Sequence, residues 1–162
     1  MSNWELILAT TLNEFSDLSD LEEATRVTLR LLFAAMLGGI LGFEREQQGK
    51  AAGLRTHMLV CLGSCLFVVA ADLSGGMDDA MSRVVQGVIQ GIGFLCAGTI
   101  IKGEHLSNVR GLTTAAGIWF TAAIGVAVGL GKEATALVST GLALIVLHVL
   151  PLVFQRTDKS DH

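Results

Sequence analysis

Tyrosine is missing from these 162 residues, proline occurs once, and charged side chains make up only 16% of the chain. Soluble domains carry roughly a quarter charged residues, and here the charges collect between apolar runs instead of alternating with them. That segregation excludes a single soluble core. A chain of this size cannot bury five separate apolar runs, whereas a bilayer solvates each run close to the roughly 20 residues that span it. Excess positive charge is also lacking: the formal net charge is −4, and zinc-finger spacing and aromatic RNA-binding motifs are absent, so nucleic acid is not an expected partner. The start, Met1-Ser2-Asn3-Trp4-Glu5, has neither the basic residues nor the cleavage site of a secretory signal, and is expected to be retained. There is no HExxH, no GxSxG, no P-loop and no paired acid and base on one span, so no catalytic residue and no enzyme activity is expected. The three cysteines, Cys61, Cys65 and Cys96, lie inside apolar runs without a third or fourth metal ligand nearby, and read as small buried residues; no cofactor is expected.

What is present is apolar and rich in glycine: 51% hydrophobic residues and 19 glycines. The pattern predicts an all-α membrane protein, a bundle of about five transmembrane helices with an N-terminal amphipathic segment. Residues 1–24 space Trp4, Ile7, Leu8, Leu12 and Phe15 at intervals near three and four among acidic residues, an amphipathic helix too short in its apolar part to span. A transmembrane domain follows over 25–155, with spans expected at 27–43, 56–73, 84–101, 112–130 and 134–154, and a short tail over 156–162.

Lys and Arg divide unevenly between the two ends of these spans. Arg45, Lys50, Arg55, Lys102, Arg110, Arg156 and Lys159 fall on one side and Arg26, Arg30, Arg83 and Lys132 on the other, a seven-to-four split that predicts a periplasmic N-terminus and a cytoplasmic C-terminus. Gly38 and Gly42, Gly87 and Gly91, and Gly125 and Gly129 each form a small-xxx-small pair on one helix face. Such pairs let helix backbones approach closely, within the chain or between two copies in a dimer. Ala52-Gly53-Leu54-Arg55-Thr56 and Arg110-Gly111-Leu112-Thr113-Thr114 echo one another about 58 residues apart, as in a parallel repeat of two hairpins.

The cytoplasmic rim carries the most informative polar residues. Glu44 and Arg45 end the first span, Arg55 and Thr56 open the second, Lys102 and Glu104 follow the third, and Arg110, Thr113 and Thr114 open the fourth. Two helix N-termini with an Arg at each form a candidate site for an anionic ligand or a protein partner, while capping by Thr56 or Thr113 and neutralisation of Arg55 by Glu44 are the structural alternative. Polar residues within the spans are few: Gln86, Gln90, Thr99, Thr121, Ser139, Thr140 and His148. No carboxylate stands near a midplane, where a cation pathway would need one. Asp72, Asp78 and Asp79 make a weak candidate outer cation site or an ordinary acidic loop.

The motifs Gly42-Phe43-Glu44-Arg45, Ala52-Gly53-Leu54-Arg55-Thr56, Gly91-Ile92-Gly93-Phe94-Leu95 and Val109-Arg110-Gly111-Leu112-Thr113-Thr114-Ala115-Ala116, with Trp119, stand in the order seen in the MgtC/SapB membrane-protein family. The chain resembles that family over about residues 27–150. It is closest to a short branch with the membrane domain and without the soluble C-terminal domain of the longer members. The resemblance implies a non-enzymatic bacterial inner-membrane protein linked to magnesium limitation, virulence and membrane energetics. In the longer members it implies modulation of the F-type ATP synthase. It adds Trp119 to the candidate rim residues Glu44, Arg45, Arg55, Thr56, Arg110, Thr113 and Thr114. A regulatory protein is the first expectation, and a homodimeric channel or transporter for a cation such as Mg2+ is the second.

Overall fold

The structure is a computed structural model that describes residues 2–14, 16, 20–73, 78–100 and 110–149. Every element among the described residues is helical. They are α1 (Asn3–Glu14), α2 (Leu21–Gln47), α3 (Leu54–Leu73), α4 (Asp78–Ile100), α5 (Leu112–Gly129) and α6 (Glu133–Leu144), which runs on as a π-helical turn, Ile145–Val149. Four helices are long and apolar enough to cross a membrane: Leu21–Gln47, Leu54–Leu73, Asp79–Ile100 and Leu112–Gly129. Glu133–His148 is a shorter apolar helix, and residues 150–154 of the fifth expected span lie outside the described residues. The all-α membrane bundle is therefore the fold, and the chain is a multi-pass membrane protein.

α2 begins six residues before the expected start of its span at Val27. The cause is capping chemistry that hydropathy does not register. The Asp20 side chain accepts a hydrogen bond from the Glu22 backbone N–H at 3.1 Å, and Glu22 and Glu23 place negative charge in the first turn, where the helix dipole favours it. Glu22 also pairs with Arg26 one turn on. α1 buries none of its residues against the rest of the chain.

α3 is the centre of the bundle, held between α2 and α5. A Cβ added at Gly38 would stand 2.6 Å from the His57 carbonyl oxygen, and one at Gly42 would stand 2.7 Å from the Leu54 Cα. From α5, a Cβ at Gly125 would run into the Cys61 carbonyl oxygen, and one at Gly129 would come within 2.7 Å of the Val68 Cβ. Two of the three glycine pairs thus bring helices into backbone contact with α3. Lipid tails are as apolar as leucine, so close van der Waals approach of this kind is the main force that binds membrane helices. Leu37, Leu41, Cys61, Cys65, Val69, Ile124 and Val128 fill the space around these contacts and are all buried. Gly87 and Gly91, the third pair, meet no atom within 4 Å.

Lengthening the side chain at Gly125 must push α5 off α3. Overpacking a filled core costs about 1–3 kcal/mol, so Gly125→Val is expected to lower stability by about that amount in thermal unfolding of the detergent-solubilised protein followed by circular dichroism. Gly141→Ala, where an added Cβ meets nothing within 4 Å, is expected to shift it by less than about 1 kcal/mol.

Candidate functional site

The end of the bundle where α2 finishes and α3 and α5 begin gathers most of the sequence candidates. Three consecutive residues near the end of α2 do three different things there. Arg45 is 1% exposed. Its Nε donates to Glu44 Oε2 at 2.5 Å, and its Nη2 donates to Glu44 Oε1 at 2.8 Å, to Gln48 Oε1 at 3.1 Å and to the Leu147 carbonyl at 3.2 Å. The last bond ties α2 to the end of α6. Leu147 lies in the π-helical turn that follows α6. Glu44 is fully engaged as well: Gln48 Nε2 also donates to its Oε1, and His148 Nδ1 lies 3.6 Å from the same oxygen.

Glu46 closes the start of α3. Its Oε2 accepts from the Leu54 backbone N–H at 2.7 Å, and a Cβ on Gly53 would stand 2.6 Å from that oxygen. The N-terminus of α3 is therefore served by a carboxylate of its own chain. Thr56 is half-buried in the first turn and Arg55 is exposed. The next turn buries His57, whose Nδ1 lies 3.0 Å from the Gly53 carbonyl and whose Nε2 has no partner.

α5 starts differently. Gly111 has φ 94, and a Cβ there would strike the Thr99 carbonyl oxygen of α4, so glycine is required on both counts. No side chain caps this helix, and Arg110 and Thr113 are exposed while Thr114 is buried. Trp119, 46% exposed, lies two turns in and lines a crevice of about 120 Å3 between α4 and α5. Beside the rim, Leu41, His57, Thr113, Gly117, Val146 and Leu147 line an apolar cleft of about 420 Å3.

The candidates thus separate into two groups. Glu44 and Arg45 are bonded to each other and to the end of α6, so they join helices. Neither Arg55 nor Arg110 has an ion-pair partner among the described residues, and Glu44 pairs with Arg45 and His148 instead of Arg55. Lys102 and Glu104 lie outside the described residues. Sequence reasoning overlooked Glu46, Gln48 and His57.

A second arginine holds the opposite end. Arg30 Nη1 donates to the Gly129 carbonyl at 3.0 Å and lies 3.5 Å from Asp72 Oδ2, while its Nε stands 3.9 Å from Glu133 Oε1. Asp72 is thereby paired with a cation. Asp79 is exposed, the side chain of Asp78 lies outside the description, and no group of three His, Cys, Asp or Glu able to hold a metal occurs among the described residues.

Removing one partner of a buried ion pair leaves the other charge uncompensated, at a cost of about 3–5 kcal/mol. Arg45→Met and Glu44→Gln are each expected to destabilise the bundle strongly. The double variant is expected to lose clearly less than the sum of the two, by more than about 1 kcal/mol of coupling, as read in a double-mutant cycle of detergent unfolding.

The profile of the MgtC family matches residues 31–156. MgtC of Brucella abortus is 46% identical over 121 residues, covering 74% of this chain and 50% of the relative. SrpB of Synechococcus elongatus is 42% identical over 132 residues, covering 75% of this chain and 72% of the relative. YhiD of Escherichia coli K12, which bears a provisional name as a magnesium transporter, is 39% identical over 144 residues, covering 83% of this chain and 65% of the relative. This chain thus spans half of the Brucella protein and just under two thirds of YhiD. No solved structure matches the chain. The matched profile covers the helices that carry the glycine contacts and the rim, and the chain belongs to the MgtC family.

Proposed function

We propose that the protein is a non-enzymatic regulatory component of the bacterial inner membrane, active in adaptation to magnesium limitation or to altered membrane energetics, and that it works as a homodimer with its rim in the cytoplasm. In this reading Arg55 and Arg110 contact an anionic ligand or another inner-membrane protein, Thr56, Thr113 and Thr114 shape the helix starts beside them, and Trp119 flanks the same surface. The observation that carries the reading is the contrast between the arginines. Arg45 and Arg30 each donate to a backbone carbonyl inside the bundle, whereas Arg55 and Arg110 stand exposed at helix starts. An exposed cation beside uncapped backbone N–H groups at the start of α5 attracts an anion.

The contact of α2 and α5 with the α3 backbone supports regulation over conduction, because an ion has no room between those three helices. A second reading, transport of a cation such as Mg2+, draws on the name of YhiD. It requires a path outside the core, between two copies.

Purified protein in proteoliposomes separates the two. Regulation predicts no protein-dependent Mg2+ flux and no change in membrane potential. It also predicts capture of a specific partner from native membranes by the wild type, lost in the Arg55→Ala/Arg110→Ala variant at unchanged thermal stability. Protein-dependent flux that these substitutions abolish would establish transport instead.

A further inference from the structure

α4 crosses the membrane almost uncovered. Val88 is its one buried side chain among the described residues, and Phe94 is 87% exposed. Gln86 and Gln90 are exposed on this helix, four residues apart and close to the middle of its length. The side-chain hydrogen bonds of α4 come from Cys96 and Thr99 among the described residues, so both carboxamides face lipid without a partner. An unpaired amide in hydrocarbon is strongly unfavourable. Helical periodicity puts Gly87, Gly91 and Phe94 on the same strip as the two glutamines, and an added Cβ at either glycine meets nothing within 4 Å. The strip therefore combines polar groups in need of partners with a backbone open to close approach.

We infer that this strip of α4 is the surface on which two copies of the chain meet, with Gln86 and Gln90 hydrogen-bonded across the interface. It rests on the homodimer reading and is independent of what the rim binds. A second copy is the occupant that the chemistry selects. A carboxamide is donor and acceptor at once, so it is complementary to itself. A two-fold axis along the membrane normal sets two α4 helices parallel, with like residues opposed. Charge at the end of the strip is compatible: Asp79 and Arg83 are both exposed and stand one turn apart, so in a parallel pair Asp79 of one copy is a single turn from Arg83 of the other, within the reach of the long arginine side chain. Gly87 and Gly91 of the strip also line an apolar groove of about 570 Å3 between α3 and α4, with Leu59, Val60, Gly63 and Leu95, which leaves room for a second helix to come close.

The test uses the full chain with Cys96→Ser, reconstituted at low protein-to-lipid ratio. With added Gln90→Cys, oxidation is expected to give a disulfide-linked dimer, while Val138→Cys on exposed α6 does not. In energy-transfer measurements between labelled copies, Gln90→Leu is expected to lower the dimer population about tenfold, in line with interhelical hydrogen bonds in lipid. Gly87→Ile/Gly91→Ile is expected to abolish the dimer with thermal stability unchanged, because those positions touch nothing within the chain. Energy transfer that persists in Gln90→Leu, with no crosslink above the Val138→Cys level, would place the dimer contact elsewhere and overturn this surface. Absence of energy transfer in the wild type would overturn the dimer reading itself.

Discussion

Backbone-to-backbone contact at α3 is the constraint from which the rest of the bundle follows. Without a hydrophobic drive between helices in lipid, α2 and α5 hold to α3 only if they come very close. Gly38 and Gly42 of α2 and Gly125 and Gly129 of α5 allow that. The pairs recur every four residues, so each presents a continuous flat strip over one turn. α5 in turn carries α4 and α6, and the two ends of α2 are left within reach of the ends of α3, α5 and α6.

The arginines of α2 exploit that reach. Arg30 and Arg45 stand fifteen residues apart, about 22 Å along a helix, and each donates to a backbone carbonyl of a later helix. Arg30 binds the Gly129 carbonyl where α5 turns into α6, and Arg45 binds the Leu147 carbonyl where α6 ends. The Gly129 carbonyl sits at the C-terminus of α5, where the helix lacks its own donor, and the Leu147 carbonyl lies in the π-helical turn that follows α6. A charge near the membrane surface is thus employed as a structural clasp. Arg55 and Arg110, like Lys50, are exposed at the rim without an ion-pair partner among the described residues.

The sequence made the architecture legible through its apolar runs, and the glycine spacing pointed to close approach. Periodicity alone could not say which glycine pairs face inward. Gly87 and Gly91 have the same spacing as Gly38 and Gly42, yet they open onto the outside because α4 packs on α5 and α3 through Val88 and its neighbours. The helix of the first span begins at Leu21, ahead of its apolar run, because the Asp20 cap is chemistry that hydropathy does not register. At the rim, Glu44 and Arg45 stand out as the charges that end the first span, but their burial depends on α6 folding back across α2, a contact between residues about a hundred positions apart. Nothing in the sequence pattern singles out Glu46, since only the turn between α2 and α3 brings it to the Leu54 N–H.

The native cysteines report on whether the core is closed. Cys61 and Cys65 are fully buried on the face of α3 that meets α2 and α5, where any aqueous path through the chain would run. The decisive measurement is their modification by methanethiosulfonate ethylammonium in native membranes, followed by mass spectrometry, with Arg55→Cys as the exposed reference. The account predicts rapid labelling at position 55 and none at Cys61 or Cys65. Labelling of either native cysteine at a rate close to that of the reference would contradict a closed core.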